Sequence, residues 1–448
     1  MRAAVIGAGP SGFYATDQLL AAGFAVDLYD SLPTPYGLVR AGVAPDHPKI
    51  KSVSRVFDKT ARHERFRFFG GVSLGEDVSR EELLERYHAV VYAVGTATDR
   101  RLGIPGEDRP GSVAATEFVA WYNGHPGFAG HEFPLDVHRA VVIGNGNVAI
   151  DVARMLVLDD DELSPTDTAD HAITSFTGAG VREVVILGRR GPGEASFTNP
   201  ELRELGELKR SDVIVDEADV ADIDTDALEP TPRRNVEILR EYASRPPAGK
   251  THRIVLRFFS SPIAVEGAGD DGRVEGLRVG RNALVDGRAV PTGEEELIEC
   301  GLVVRSIGYR GRPLPGVPFD EQRGLIRNDG GRVTGDDGMT LPGEYVVGWV
   351  KRGPSGVIGT NKKDALDTTA KLVADAEAGR VNTPADHGDA HQWLRRRVPG
   401  LVGWADWVAI DAAETAAGEP QGRPRVKLVR VADMLAAAER ARGTVDPL

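Results

Sequence analysis

Two glycine-rich loops carry the residues of this chain whose types and spacing suit a defined chemistry. The first is Gly7-Ala8-Gly9-Pro10-Ser11-Gly12, and the second is Gly144-Asn145-Gly146-Asn147-Val148-Ala149. In a strand–turn–helix unit, the first glycine permits a tight turn, the second lets the backbone approach a pyrophosphate and the third lets helix and strand pack closely. The N-terminus of the following helix offers N–H groups and partial positive charge to the phosphates. Two such loops, a domain's length apart, predict two bound dinucleotides and electron transfer between them.

The first loop lies in a strand–turn–helix–strand pattern. Residues 3–6 form a short apolar strand, a helix is expected over residues 13–22 with Gly23 as its cap, and a second strand ends at Asp30. Asp30 follows Gly12 by 18 residues, where an acid binds the adenosine ribose hydroxyls. A strand–turn–helix without a ligand is the alternative, and the combination of strand, helix and acid argues against it. The loop suits FAD or NAD, and its N-terminal position favours FAD.

The second loop is followed by a strand that ends in two arginines. Alanine replaces the third glycine at position 149, and the strand over residues 183–188 leads directly into Arg189 and Arg190, where NAD-binding folds carry an acid. A carboxylate would repel a 2′-phosphate, whereas guanidinium groups bind it with paired charged hydrogen bonds. We therefore expect NADP here, with two solvated arginines as the alternative. The polar, turn-rich stretch 158–180 is interpreted as an insertion between helix and strand.

The elements that position these loops predict one domain inserted into another. Pro/Gly-rich crossings at 102–111 and 308–316 each follow an apolar strand that ends in glycine. The expected domains are an FAD-binding domain of residues 1–100 and 314–448 and an NADP-binding domain of residues 101–313. The predicted fold class is therefore α/β, with two Rossmann-like dinucleotide-binding domains, the NADP domain inserted into the FAD domain.

Three further kinds of segment can be interpreted from the sequence: strand-like runs, an acidic segment and a polar stretch. Strand-like runs at 253–265, 273–285 and 295–307 predict an antiparallel meander in the inserted domain. Asp159-Asp160-Asp161-Glu162 is expected to be a solvated acidic loop, and residues 62–86 are a polar stretch between strands.

Composition excludes several classes of protein. The 448 residues have 41% hydrophobic and 27% charged content, as expected of a globular protein with two or three domains. A net charge of -13 argues against nucleic acid as a partner. Cys300 is the one cysteine, so no disulfide framework or cysteine metal site is expected, nor is any other metal-ligand cluster. No apolar run approaches the roughly 20 residues of a transmembrane helix. Because Met1-Arg2 leads directly into a strand, we expect no signal peptide and a cytoplasmic protein.

Motifs spread over the whole chain resemble adrenodoxin reductase and the adrenodoxin reductase-type ferredoxin-NADP reductases of bacteria. They are residues 36–40, 43–48, 144–151, 188–192, 201–205, 348–349, 353–361, 403–407 and 410–411. Gly348 is followed by Trp349, whereas related pyridine nucleotide-disulfide reductases usually have Gly-Asp at this point. Asp30 departs from the pattern modestly, because many members carry glutamate there.

The resemblance implies specific cofactor contacts. FAD would be bound by Ser11, Asp30, Leu38, Val72, Trp349, Gly356, Val357 and Ile358, together with the loop glycines Gly7, Gly9 and Gly12. NADP would be bound by Asn147, Val148, Ala149, Ile150, Arg189, Arg190, Glu201 and Gly356, together with Gly144 and Gly146. His47 and Glu204 resemble the family's histidine–glutamate pair near the flavin.

Four of these residues also have a simpler interpretation. His47 could be a surface-loop histidine bonded to backbone, and Glu201 and Glu204, at i and i+3 of an expected helix, could form a solvated face. Trp349 could be core packing rather than a side chain that excludes water from the flavin. At Gly356 a side chain would block the stacking of the nicotinamide on the flavin.

The implied activity is that of an NADPH:ferredoxin oxidoreductase, a ferredoxin-NADP(+) reductase. A hydride passes from NADPH to FAD, and single electrons pass on to a ferredoxin-type iron–sulfur protein. Because ferredoxins are acidic, docking requires a basic face, for which Arg203, Arg233 and Arg234 are the candidates. The alternatives are an NADPH-dependent diaphorase or flavin reductase with a small-molecule acceptor, and a flavin-binding redox sensor without turnover.

Overall fold

The chain path divides the protein into two compact units. The computed structural model describes residues 1–96, 98–268, 272–356 and 358–444. The first unit consists of Met1–Thr98, Asn123–Pro126 and Tyr309–Leu448, and the second of Asp99–Tyr122 and Gly127–Gly308. The second unit is therefore inserted into the first in chain order.

The helices and strands follow in chain order. Up to the first crossing they are β1 Arg2–Ile6, α1 Pro10–Ala21, β2 Ala25–Asp30, α2 Leu38–Ala41, α3 Pro48–Lys51, α4 Ser54–Thr60, β3 Phe66–Gly70, α5 Arg80–Arg86, β4 Ala89–Tyr92 and β5 Thr98–Asp99. The next are β6 Ser112–Ala114, α6 Ala115–Tyr122, β7 Arg139–Ile143, α7 Asn147–Met155, α8 Asp160–Leu163, α9 Asp170–Thr177, β8 Glu183–Leu187, α10 Asn199–Leu205, β9 Ser211–Val215, α11 Glu217–Val220, α12 Pro230–Ser244, β10 His252–Arg257, β11 Ser260–Gly267, β12 Val274–Val285, β13 Arg288–Glu299 and β14 Leu302–Arg305. The last are β15 Tyr309–Arg310, β16 Phe319–Asp320, β17 Leu325–Ile326, β18 Asn328–Asp329, β19 Arg332–Thr334, β20 Thr340–Val346, α13 Trp349–Arg352, α14 Ile358–Glu377, α15 Ala390–Arg395, α16 Trp404–Gly418 and α17 Val431–Thr444. Short 3₁₀ turns occur at Pro192–Glu194, Thr225–Ala227 and Glu419–Gln421.

The first unit is built on a seven-stranded sheet of order β18-β19-β20-β4-β1-β2-β3. Strands β20, β4, β1, β2 and β3 are parallel, and β18 and β19 extend the sheet antiparallel. The central strands are nearly continuous apolar runs, as expected where helices cover both faces of a parallel sheet. Helices α1 and α14 pack against each other beside this sheet. The carboxyl ends of β1 and β2 therefore open at one edge, where ligands bind in such folds.

The second unit repeats this design with a six-stranded parallel sheet. Its order is β6-β14-β7-β8-β10-β9, and β11-β12-β13 form a separate antiparallel sheet. The change of strand order beside β7 places the second glycine loop at a topological switch point. The predicted α/β class, with one dinucleotide-binding fold inserted into another, is confirmed.

Several details of the sequence outline are wrong. The run 253–265 is two strands, of which β10 belongs to the parallel sheet, and the run 295–307 divides between β13 and the parallel strand β14. The antiparallel meander is therefore limited to β11–β13. The expected acidic loop contains the helix α8, which Asp159 caps by accepting a hydrogen bond from the N–H of Glu162. The polar stretch 62–86 contains the sheet strand β3. Along the described ranges of the chain, no helix is long and apolar enough to cross a membrane.

Candidate functional site

The first glycine loop is held in shape by close backbone contacts. Gly7 has a φ of 108°, and a Cβ on it would lie 2.6 Å from the carbonyl oxygen of Ala93. A Cβ on Gly12 would overlap the carbonyl oxygen of Gly7. At Gly9, which precedes α1, the atom nearest to an added Cβ would be the Cα of Gly37, at 4.0 Å. Two glycines thus serve the fold, and the third leaves open space in front of the helix N-terminus.

Asp30 lies at the carboxyl end of β2 and faces this loop. Its Oδ2 accepts a hydrogen bond from the N–H of Ala8 at 2.8 Å, and its Oδ1 accepts one from the N–H of Leu32 at 2.9 Å. Burial raises the pKa of Asp30 to about 6, and these two hydrogen bonds oppose the rise. Each carboxylate oxygen keeps a second lone pair, so the group can still accept ribose hydroxyls.

Leu38 and Val72 lie on the two segments that flank Asp30 and the loop. The N–H of Tyr36 donates to the carbonyl oxygen of Ala8 at 2.7 Å, which brings Leu38, at the start of α2, to the glycine loop. The Leu38 side chain is 42% exposed. Val72 is buried, and its N–H donates to the carbonyl oxygen of Asp30 at 2.9 Å.

The Gly348-Trp349 pair meets the same loop from the other end of the chain. Gly348 has a φ of 78°, and a Cβ on it would overlap the Oγ of Ser11. Its N–H donates to Oδ2 of Asp364 at 2.6 Å, and Asp364 also pairs with Lys351 at 2.8 Å. These anchoring residues were not identified from the sequence, because charged residues on a helix give no signal of such a contact.

The buried indole N–H of Trp349 is a candidate hydrogen-bond donor to FAD. Its indole Nε1 is buried and has no hydrogen-bond partner among the residues described by the structure. The ring stacks on Tyr309 with centroids 5.4 Å apart. A buried donor without a partner is costly, and a flavin or its phosphoribityl chain has oxygens and nitrogens able to accept from it.

The remaining predicted FAD residues lie at the start of α14. Gly356 has a φ of 79°, a conformation that favours glycine, and Ile358 is the first residue of the helix and packs partly against the core. Val357 lies outside the described residues. Taken with the open loop at Gly9, Asp30 and Trp349, these features form a cradle that fits a flavin dinucleotide.

The second glycine loop has the same construction in the second unit. Gly144 has a φ of 132°, and a Cβ on it would overlap the carbonyl oxygen of Ser306. Gly146 precedes α7 and a Cβ on it would meet nothing within 4 Å. Oδ1 of Asn147 accepts a hydrogen bond from the N–H of Thr198 at 2.8 Å, which ties the loop to the segment before α10.

The next residues of α7 serve mainly as packing. Ala149 and Ile150 are fully buried, and their N–H groups donate to the carbonyl oxygen of Gly146 at 3.0 and 3.3 Å. Val148 is half-buried and packs against the core of the unit. The first-turn N–H groups of Asn147 and Val148 precede those used within the helix, so they are the ones that face a phosphate.

Arg189 and Arg190 follow β8 after Gly188, and their backbone is held by Asn282 of β12 and by Phe259, which precedes β11. The carbonyl oxygen of Arg189 accepts from Nδ2 of Asn282 at 2.8 Å, and that of Arg190 accepts from the N–H of Phe259 at 3.0 Å. Arg189 is exposed and Arg190 half-buried. Within the described parts of the chain, neither guanidinium forms an ion pair. Two adjacent guanidinium groups that form no ion pair within the described residues fit a 2′-phosphate.

Glu201 and Glu204 lie on α10, as predicted. Oε2 of Glu201 is buried and, among the described residues, has no hydrogen-bond partner. Oε2 of Glu204 lies 3.6 Å from Nε of Arg154, whose Nη2 donates to Asp151 at 3.2 Å. Glu204 therefore faces a buried arginine of α7.

His47 lies in the first unit, whereas Glu204 lies in the second. It precedes α3, and its carbonyl oxygen accepts hydrogen bonds from the N–H groups of Ile50 and Lys51 at 3.1 and 3.2 Å. The expected His47–Glu204 pair stays a prediction.

The arginines predicted to dock a partner differ in their surroundings. Arg203 is exposed on α10. Arg233 lies 3.8 Å from Asp226, and Arg234 forms an ion pair with Glu237. The positive charge of the α12 pair is therefore largely balanced.

Comparisons with known proteins agree with this geometry. Residues 1–187 match the family model described as pyridine nucleotide-disulphide oxidoreductase. The chain is 53% identical to the NADPH-ferredoxin reductase FprA of Mycobacterium tuberculosis, over 96% of this chain and 98% of that protein. It is 40% identical to the mitochondrial NADPH:adrenodoxin oxidoreductase of Arabidopsis thaliana, over 97% of this chain and 94% of the relative.

A solved structure gives the same result in three dimensions. The structure of Mycobacterium tuberculosis FprA in complex with NADPH superposes with a TM-score of 0.93 at 52% identity, and covers 98% of this chain and 99% of the other. The resemblance seen in the sequence motifs is confirmed. The chain belongs to the family of adrenodoxin reductase-type NADPH-ferredoxin reductases.

Proposed function

We propose that this protein is an FAD-dependent NADPH:ferredoxin oxidoreductase. The observation that carries the proposal is the presence of two dinucleotide cradles in one chain, of which only the second ends in an arginine pair suited to a 2′-phosphate. When bound, FAD supplies the two-electron to one-electron conversion that links NADPH to an iron–sulfur protein. The names of the relatives, NADPH-ferredoxin reductase and NADPH:adrenodoxin oxidoreductase, support the same donor and the same class of acceptor.

The first unit holds FAD. The N–H groups at the start of α1 face the pyrophosphate across Gly9, and Asp30 accepts the adenosine ribose hydroxyls. Ser11 lies beside Gly348, and Leu38, Val72 and the turn from Gly356 to Ile358 complete the contacts. Trp349 donates its indole N–H to the cofactor and excludes water from it.

The second unit holds NADPH. The N–H groups of Asn147 and Val148 bind its pyrophosphate, and Arg189 and Arg190 bind the 2′-phosphate. Glu201 accepts a hydrogen bond from the nucleotide through its otherwise unpartnered oxygen. Ala149 and Ile150 act through packing, because they fix α7 against the sheet. Gly356 leaves room for the nicotinamide.

His47 and Glu204 act as a positioning pair in this proposal. The imidazole of His47 helps to hold the nicotinamide for transfer, and Glu204 supports the same positioning. The ion pair with Arg154, at 3.6 Å, fixes the direction of the Glu204 carboxylate. We place the protein in the cytoplasm, a reducing compartment that fits a chain with one cysteine, Cys300, and no disulfide framework.

The test begins with the visible spectrum of the purified protein. We expect flavin absorption bands that bleach when NADPH is added without oxygen, and reduced ferredoxin when an acidic ferredoxin is then supplied. A colourless protein that cannot be reconstituted with FAD would contradict the proposal. A protein that reduces menadione but no ferredoxin would instead be a diaphorase.

A further inference from the structure

A basic strip lies on the outer surface of α3, α4 and the turn that follows α4 in the first unit. It consists of the exposed side chains of Lys49, Ile50, Arg55, Val56, Lys59 and Arg62. Arg55 and Lys59 are separated by one helical turn, so they share a face of α4. The strip does not take part in binding either nucleotide as described above.

The charge of the strip stands out against that of the whole protein. Residues 47–63 contain five cations and one acid, Asp58, in a chain of net charge -13. Asp58 accepts a hydrogen bond from the hydroxyl of Tyr36, and the nearby Asp17 accepts one from Thr60 at 3.2 Å. Among the residues that the structure describes, the ammonium and guanidinium groups of the strip form no ion pair with a carboxylate. The strip therefore presents unbalanced positive charge.

Two apolar side chains lie between these cations. Ile50 is 40% exposed and Val56 is 51% exposed. The opposite face of α4 is firmly packed, because Phe57 is buried and stacks on Phe13 of α1 with centroids 4.7 Å apart. Exposed apolar groups surrounded by charges on a fixed helix are typical of a transient protein interface.

The strip is attached to the segment that we assign to the flavin. Helix α3 contacts α2, which begins at Leu38, and α2 follows the Tyr36-Gly37 turn against the first glycine loop. Because electrons pass singly to a bound protein, the partner must dock beside the flavin-binding segment. The arginines of α12 are weaker candidates for docking because their positive charges are balanced. Arg233 lies near Asp226, and Arg234 pairs with Glu237.

We propose that the basic strip docks the acidic ferredoxin-type partner, with Ile50 and Val56 at the centre of the contact and the four cations around them. This inference rests on the proposed function and assigns its partner surface. Steering by such charges acts mainly on the rate of association, so its effect falls as salt rises.

The test compares two charge-reversal variants, Arg55→Glu/Lys59→Glu in the strip and Arg233→Glu/Arg234→Glu on α12 as the matched control. The acceptor is an acidic [2Fe–2S] ferredoxin, followed without oxygen by its own absorbance, and menadione serves as an uncharged small acceptor. We expect the strip variant to raise KM for ferredoxin by about tenfold or more at low salt, with unchanged menadione reduction. A second variant, Ile50→Ser/Val56→Ser, should raise the same KM without changing its dependence on salt.

The outcomes separate this inference from the function on which it rests. Normal ferredoxin kinetics in both strip variants, or a loss confined to the α12 variant, would overturn the docking surface and leave the reductase activity standing. Failure of the wild-type protein to reduce ferredoxin, with menadione reduction intact, would overturn both.

Discussion

Arg189 and Arg190 differ in their electrostatic surroundings from three other arginines of the second unit. Arg257 pairs with Glu296, Arg278 with Glu266 and Arg281 with Asp219. Over the described ranges, the two arginines after β8 have no such carboxylate, although Asn282 and Phe259 fix their backbone. A guanidinium on a fixed backbone and without an ion-pair partner is ready to bind a doubly charged phosphate.

Replacing both arginines should therefore separate NADPH from NADH. We expect Arg189→Ser/Arg190→Ser to raise KM for NADPH by about two to four orders of magnitude, at about 1.5–3 kcal/mol per charged hydrogen bond, and to leave KM for NADH nearly unchanged. Steady-state kinetics with both nucleotides give the measurement, and Arg288→Ser, at an exposed site, is the control. Equal increases in KM for NADPH and NADH would contradict the proposal that the two arginines bind the 2′-phosphate.

Asp30 should make FAD binding depend on pH. Its pKa is raised to about 6 by burial, so the free protein takes up a proton as the pH falls through that value. The protonated carboxyl has lost the charge that binds ribose hydroxyls, and affinity should fall by up to about tenfold per pH unit below pH 6. Flavin fluorescence titrations of the apoprotein measure this.

Two substitutions at Asp30 serve as controls for the pH dependence of FAD binding. Asp30→Asn should bind FAD weakly and show little pH dependence over this range, whereas Asp30→Glu should keep a pH-dependent affinity. A wild-type affinity that stays constant from pH 7 to pH 5 would show that the carboxylate does not contact the ribose.

At the scale of elements, each strand–turn–helix unit uses its glycines for two different purposes. Gly12 and Gly144 permit close approach of backbone to backbone, whereas Gly9 and Gly146 leave space in front of a helix N-terminus. A substitution in the first class disturbs the fold, and one in the second class fills the ligand site.

A pair of alanine substitutions in the second unit should reveal this difference. Gly146→Ala should leave the melting temperature nearly unchanged and sharply raise KM for NADPH, because its Cβ meets no protein atom within 4 Å. Gly144→Ala should lower the melting temperature, since the Cβ overlaps the carbonyl oxygen of Ser306 and the φ of 132° disfavours alanine. Thermal unfolding and NADPH kinetics of both variants provide the check. An equal loss of stability in the two would contradict this division.

The loops and their strands could be predicted from the sequence because glycine spacing and apolar runs are local signals. Strand β3 was missed because residues 66–70, Phe-Arg-Phe-Phe-Gly, are a short apolar run inside a longer stretch rich in charged residues. Helix α8 was missed because its acidic residues resemble a solvated loop. The contact between Ser11 and Gly348 and the support of Arg189 by Asn282 join residues that are far apart in sequence. Only the fold brings such residues together, so local patterns do not indicate them.

On the scale of the whole molecule, the first unit is assembled from both ends of the chain. Strand β20 lies beside β4 in the sheet, and the carbonyl oxygen of Val402 accepts a hydrogen bond from the N–H of Gly70 at 2.8 Å. Arg40, just after the proposed flavin contact Leu38, forms a bidentate ion pair with the fully buried Glu414 at 2.6 and 2.8 Å. The C-terminal helices thus hold the segment that carries Leu38.

Removing the Glu414 charge should destabilise the first unit. Burial by itself raises the pKa of Glu414, but Arg40 and Arg425 outweigh it and the pKa lies below its usual range. The ionised Glu414 therefore stabilises the folded state at neutral pH. This stabilisation is lost as the pH falls below the usual pKa range of a glutamate and the carboxylate takes up a proton. We expect Glu414→Ala to lower the free energy of unfolding by about 3–5 kcal/mol, because it leaves Arg40 without its buried partner. Denaturant unfolding at pH 7 measures this, with the exposed Glu419→Ala as control, and a loss no larger than that of the control would refute the role of the pair.

The position of β20 also governs the order in which the newly made protein can mature. During translation, residues 99–308 leave the ribosome before β20 exists, so the inserted unit can fold while the nascent N-terminal strands still lack their neighbour. Flavin insertion should therefore wait until the last helices have been synthesised. A chain that ends before β20, at residue 339, and has been released from the ribosome should therefore bind to an NADP affinity resin but should not retain flavin.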